Sequence, residues 1–157
     1  MKMLVVFYSR TGNTRKVAEE LEKVLECDME EIIDTKNRSG SLGYLRSGRD
    51  AMNRKLTVLQ DVINDPSSYD LIVIGTPLWA GHVSTPVRTY MHQNQASFKN
   101  VAFFCTAGGM GFEGTFKDMK ELSGKTPLAT LGLREKELKS ASYKSKVAEF
   151  AQEIQMK

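Results

Sequence analysis

Apolar residues along this chain follow two patterns that take turns. Some sit in short continuous runs; others recur every three or four positions. Lys2 to Tyr8 is a near-continuous apolar run, as expected for a strand covered on both faces of a parallel sheet. Val17, Ala18, Leu21, Val24 and Leu25 fall at helical spacing and predict an amphipathic helix over Thr14–Leu25. Asp28 to Ile33 reads as a short second strand. Tyr69–Gly75 (YDLIVIG) and Val101–Thr106 (VAFFCT) are two more buried strands, and Pro127–Leu133 is a weaker fifth.

Helices fill the intervals. Thr85-Pro86 starts one, a capping hydroxyl followed by proline in the first turn, and Val87, Tyr90 and Met91 continue it. Phe112, Phe116, Met119 and Leu122 mark the next. The last begins near Ser142, with Tyr143, Val147, Phe150, Ala151 and Ile154 inward. Leu42, Leu45, Met52 and Leu56 suggest a short helix between the second and third strands. Five strands alternating with helices predict a three-layer α/β fold, a doubly wound five-stranded parallel sheet with right-handed crossovers. Ligands of such folds sit at the carboxyl ends of the strands, so the loops after the first, third and fourth strands matter most.

Composition narrows the class without naming it. A chain of 157 residues, 41% hydrophobic and 26% charged, fits one domain spanning residues 1–157. The net charge of +3 gives no reason to expect nucleic acid or a membrane as partner. No apolar stretch approaches the about 18 residues of a membrane span. The first strand begins at Lys2, which leaves no room for a signal peptide, so a cytoplasmic address is expected. Cys27 and Cys105 lie far apart, with no CxxC or Cys/His cluster to hold a metal.

Three loops carry the candidate chemistry. Ser9-Arg10-Thr11-Gly12-Asn13-Thr14 follows the first strand and opens a helix. Unpaired N–H groups and the helix dipole favour an anion there, hydroxyls of Ser9, Thr11 and Thr14 add donors, and Gly12 lets the backbone approach a ligand. The alternative is a well-capped helix after a polar turn. No Gly-Lys-Ser/Thr follows, so a nucleoside triphosphate with magnesium is not expected. Thr76-Pro77-Leu78-Trp79-Ala80-Gly81-His82 and the residues to Pro86 form the second loop. It places the one tryptophan beyond a buried strand, where its indole is expected to face solvent and offer a plane to a flat ligand, unless it folds back on the domain.

The third loop is Thr106 to Gly114 (TAGGMGFEG), rich in exposed backbone, with Thr106, Ala107, Gly108, Gly109 and Gly111 as candidate cofactor contacts. Gly109 to Gly114 matches GxGxxG, with Glu135 about 20 residues on. The match follows the fourth strand rather than opening the sheet, so a glycine-rich turn is preferred to a dinucleotide site. Cys105 lacks the Cys-x5-Arg of a phosphatase, because position 111 is glycine. Ser9-Arg10 and Gly75-Thr76 stand where a phosphoryl receiver needs acidic groups. Arg38, Arg46, Arg49, Arg54 and Lys55 read as a solvated basic face, or as a receiver for a nucleotide phosphate or an acidic protein.

An anion cradle, an aromatic plane and a backbone-rich loop at one sheet end suit flavin mononucleotide, FMN. With SRTGNT, TPLWAG and TAGG quoted together, the chain resembles the short-chain flavodoxins along its whole length. SRTGNT is similar to that family's phosphate loop and is the most specific part of the likeness. The resemblance implies strand order 2-1-3-4-5 and a bound FMN held by the three loops. It implies electron transfer between protein redox partners, a reductase and an acceptor. It also implies a peptide that turns toward the ring to stabilise the neutral semiquinone, for which Gly81 is the candidate. His82 is a candidate for tuning the reduced ring by its charge. The alternative of the same fold is an FMN-dependent oxidoreductase using NAD(P)H and a quinone. The chain departs from the family's pattern in its basic pI of about 8.8 and in lacking a tyrosine in the third loop.

Overall fold

A computed structural model describes residues 1–157. Its sheet holds β1 (Met3–Phe7), β2 (Asp28–Glu31), β3 (Leu71–Trp79), β5 (Val101–Ala107) and β6 (Thr130–Arg134) in the order β2-β1-β3-β5-β6, all parallel. A short β4 (His82–Val83) pairs antiparallel with the end of β3. The five long strands thus have the predicted order, and β4 is an addition. Around them run α1 (Asn13–Leu25), α2 (Gly40–Met52), α3 (Thr85–Asn94), α4 (Phe112–Ser123), the single-turn α5 (Glu135–Leu138) and α6 (Tyr143–Gln155).

The apolar runs become strands because both faces of the sheet are covered. Val5 and Phe7 point into a core with Val17 and Leu21 of α1 and Val147 and Phe150 of α6. Leu4, Val6 and Tyr8 point into the opposite core with Val87 and Tyr90 of α3 and Met119 of α4. An alternating strand would leave one of these layers without an apolar surface. Full burial of one such side chain contributes about 1.5–3 kcal/mol.

The third strand runs farther than the sequence predicts. Thr76 to Trp79 continue β3 instead of forming a loop, and the chain reverses at Ala80-Gly81 into β4. Both turn residues have positive φ, 51° and 79°, the backbone of a two-residue hairpin. Glycine accepts that conformation freely; alanine does so under strain. β3 adds a hydrogen-bonded partner on each side of its far end, Thr106 of β5 opposite Pro77 and Val83 opposite Leu78, which is what extends it.

α2 belongs to an excursion between β2 and β3. An isolated bridge between Asp34 and Leu59 closes its base, and Thr35 donates from both N–H and hydroxyl to the Val58 carbonyl at 3.0 and 2.6 Å. Its inward face is small and polar: Gly43, Ser47, Asp50 and Ala51. The large residues that predict the helix, Leu42, Leu45 and Met52, point outward and are exposed, as is Leu56 beyond its end.

Candidate functional site

A cleft of about 450 Å³ lies at the carboxyl ends of β1, β3 and β5, within the range of about 300–1,000 Å³ usual for small-molecule sites. Its floor and one wall come from Arg10, Thr11, Asn13 and Thr14 at the start of α1. Pro77, Leu78, Trp79 and Ala80 of the hairpin form a second wall, and Thr106, Ala107 and Gly108 a third. The fourth comes from α2 and the residue after it: Tyr44, Leu45, Ser47, Gly48, Arg49, Met52 and Asn53. Glu135 closes one end.

The first loop is built as an open helix N-terminus. Gly12 takes φ of 101° and precedes α1, while its N–H donates to the Ser9 hydroxyl at 3.0 Å. A Cβ at Gly12 would meet nothing, so glycine is there for its backbone angle. Ser9 therefore shapes the turn. The first amides of α1 have no acceptor within the helix and carry its positive dipole end. Thr14 is buried, and its hydroxyl lies 2.8 Å from that of Thr106, which ties the first loop to the third. Arg10 donates to the carbonyls of Arg38 at 2.9 Å and Gly40 at 2.8 Å, so it anchors the start of α2 beside the loop.

The hairpin corrects the expectation for Trp79. Its indole is 8% exposed, not a solvent-facing plane. It meets Tyr8 edge to face with ring centroids 5.5 Å apart, and the Arg38 guanidinium covers it at 5.1 Å. Burial follows because the tryptophan sits on a strand with α2 above it. Thr76 is fully buried and its hydroxyl is engaged with Ser84 and the Pro77 carbonyl at 2.9 and 2.8 Å. Gly81 and His82 stand beside the cleft rather than lining it. His82 Nδ1 is 2.9 Å from the Asp118 carboxylate, which also accepts from Val83 N–H and Arg88.

Gly109 and Gly111 also lie off the cleft wall. Gly111 precedes α4 with φ of 120°, and a Cβ there would press on Leu78 at 3.1 Å; a Cβ at Gly114 would press on the Gly81 carbonyl at 3.1 Å. The GxGxxG match thus serves the packing of α4 against the hairpin. Met110 is exposed, and Phe112 is turned away onto Gly132, so no aromatic side chain of the third loop covers the cleft.

Sequence reasoning missed the α2 wall, and it weighed Glu135 only as part of a dinucleotide match that it set aside. The reading of positions 38–55 as one solvated face fails at Arg38, which is 4% exposed. Arg38 donates to Asp34 at 2.6 Å, to Asp50 at 3.2 Å and to Ser47 at 3.2 Å. Asp34 four residues before Arg38 is a pairing signal the sequence did offer, although no continuous helix spans the two. Burial raises both thiols, Cys27 to about 11 and Cys105 higher still.

A family model described as Flavodoxin matches residues 2–154. Among solved structures, the chain is 24% identical to a flavoprotein in complex with FMN from Lactobacillus acidophilus, covering 90% of this chain and 98% of that one, with a TM-score of 0.72. It is 19% identical to two-electron reduced flavodoxin from Megasphaera elsdenii, covering 96% and 98%, TM-score 0.59. It is 18% identical to oxidised flavodoxin 2 from Bacillus cereus, covering 98% and 97%, TM-score 0.63. At these identities the likeness to the solved structures is one of fold. Comparison with curated proteins gives no match.

Proposed function

We propose that this chain, which belongs to the flavodoxin family, binds FMN in the cleft and carries electrons between protein redox partners. The observation that supports this reading is the convergence of three walls on one space: the open N-terminus of α1, the β3–β4 hairpin and the Thr106–Gly108 loop. An ester phosphate fits the first wall, where Thr11, Asn13 and Thr14 bring amide and side-chain donors under the helix dipole. A flat ring fits between the hairpin and the third loop.

Bound FMN supplies reversible uptake of one or two electrons. The chain's own residues set the terms. Leu78 and Ala80 line one side of the cleft and would cover the ring there. The Ala80-Gly81 peptide sits at a turn of positive φ, where a change of peptide orientation costs glycine little. His82, held by Asp118, places an imidazole ring behind that turn. The hydroxyl pair Thr14–Thr106 ties the first loop to the third, and so would fix the separation between the residues that would hold the phosphate and those that would hold the ring.

One feature favours a second reading, an FMN-dependent NAD(P)H:quinone oxidoreductase. The third loop leaves the cleft without an aromatic cover, which gives a small acceptor room to approach. Two measurements decide. Titration of the flavin-free protein with FMN and with riboflavin should show a clear preference for the phosphate ester. No preference would overturn the site assignment. Anaerobic reduction of the loaded protein should proceed in separate one-electron steps with dithionite and fail with NADPH alone. Rapid NADPH oxidation in the presence of a quinone would favour the enzyme.

A further inference from the structure

We infer that the exposed face of α2 is the docking surface for an acidic redox protein, which rests on the reading of the cleft as an FMN site. The charge distribution carries the inference. Residues 35–60 hold six Lys/Arg (Lys36, Arg38, Arg46, Arg49, Arg54, Lys55) and one acid (Asp50), a net of +5. The whole chain has a net of +3, so the remainder carries −2. The excess of positive charge is largest in this segment, and the rest of the chain is mildly acidic in sum. Arg38 is neutralised internally by Asp34 and Asp50, which leaves Arg46, Arg49, Arg54 and Lys55 exposed at the surface.

The same face is apolar at its centre. Leu42, Leu45 and Met52 are 76%, 67% and 62% exposed on a helix whose inward positions are small or polar. Leu45 and Met52 also line the cleft, whereas Leu42 packs against neither the sheet nor the cleft, an outward position that packing within the chain does not explain. An apolar centre rimmed by charge is the composition of a protein contact. The face also continues into the cleft, since Leu45, Arg49 and Met52 line its fourth wall. A protein seated on α2 would therefore lie over the edge of the space where the ring fits.

Three occupants compete, and charge separates them. A second copy related by a two-fold axis would set Arg46, Arg49 and Arg54 against their own counterparts, a like-charge contact. A nicotinamide nucleotide would use the cations but leave most of a helix about 20 Å long uncovered. A lipid surface would satisfy both features, but it would close the fourth wall of the cleft against the bilayer and away from any protein donor. An acidic protein uses the rim for steering and the apolar centre for contact.

The test uses FMN-loaded protein and two one-electron probes, an acidic plant-type ferredoxin and the basic cytochrome c. The variants are R46E/R54E and L42S, exposed positions that do not line the cleft. Flavin loading of each is measured first by visible absorbance. The wild-type rate constant with reduced ferredoxin should fall as salt rises, and R46E/R54E should be about tenfold slower at low salt. L42S should be slower at every salt concentration, and R46E/R54E should react faster than wild type with cytochrome c.

Equal ferredoxin rates for wild type and R46E/R54E would overturn the inference. So would pelleting with phosphatidylserine vesicles that the double variant abolishes, or a dimer in sedimentation that L42S dissolves. Amide shifts on adding ferredoxin to the flavin-free chain should cluster at residues 42–56; shifts elsewhere would also overturn it. That arm reads the surface even if FMN fails to load, so failure of the cofactor reading is told apart.

Discussion

The Arg38 guanidinium lies over the Trp79 indole at 5.1 Å, and both are buried. Arg38 is in turn held by Asp34 and Asp50. One cation thus fastens α2 to the hairpin and roofs the tryptophan. A helix with a small, polar inward face cannot be held by apolar burial, so a buried ion network takes that task. Arginine suits it because its planar group pairs with carboxylates along its edge and stacks by its face.

Arg38→Met should destabilise the fold by about 3 kcal/mol, because it leaves Asp34 and Asp50 buried without their cation. Urea denaturation measures the loss. Trp79 fluorescence of the folded variant should shift to the red as the roof opens. A variant as stable as wild type would show that α2 is held by something else.

The Thr14–Thr106 pair predicts a coupling. Thr14→Val and Thr106→Val each leave one buried hydroxyl without its partner and should each cost about 1–3 kcal/mol. The double variant removes both polar groups and should cost less than the two losses together. A double-mutant cycle on unfolding free energies reads the difference. Strict additivity would mean that the two hydroxyls do not bond.

Gly75 lies opposite Phe104 in neighbouring strands, and a Cβ there would overlap the Phe104 ring. Gly75→Ala should cost at least about 1–3 kcal/mol from overpacking. Adding Phe104→Leu, which makes room, should recover part of the loss against Phe104→Leu alone. Thermal melts of the four proteins test this; no recovery would place the cause in the backbone instead.

Acid should unlock α2. Burial pushes the Asp50 carboxyl up, but Lys36 and Arg38 outweigh it, and the group titrates below its ordinary 3.8. Its folded pKa lies below the unfolded one, so the folded state binds fewer protons. The stabilisation is complete above the unfolded value of about 3.9 and is lost as pH falls through the folded pKa. The melting temperature should therefore drop below about pH 4, and Asp50→Asn should flatten that drop while lowering stability at neutral pH. An unchanged slope in the variant would assign the acid sensitivity to other carboxylates.

Sequence patterning located strands and helices wherever burial and periodicity agree. β1, β5, α1 and α6 fall within a few residues of their expected bounds because each makes its pattern locally. β3 outran its expected end because its last four residues gain partners from β4 and β5, and such partners are invisible in a linear run. The α2 segment shows the opposite failure. Its apolar residues predict a helix, but periodicity does not say which side faces the sheet, and the ion network turned that side outward.

By itself the sequence determined the alternation of strand and helix and the three loops that surround the cleft. These follow from burial periods of two kinds and from turn residues, which act over a few positions. Only the tertiary structure decided that Trp79 is roofed, that Arg38 is internal and that α2 supplies a fourth wall. Those facts depend on charges and rings brought together across the chain, where the energy of a contact belongs to the pair and not to either residue.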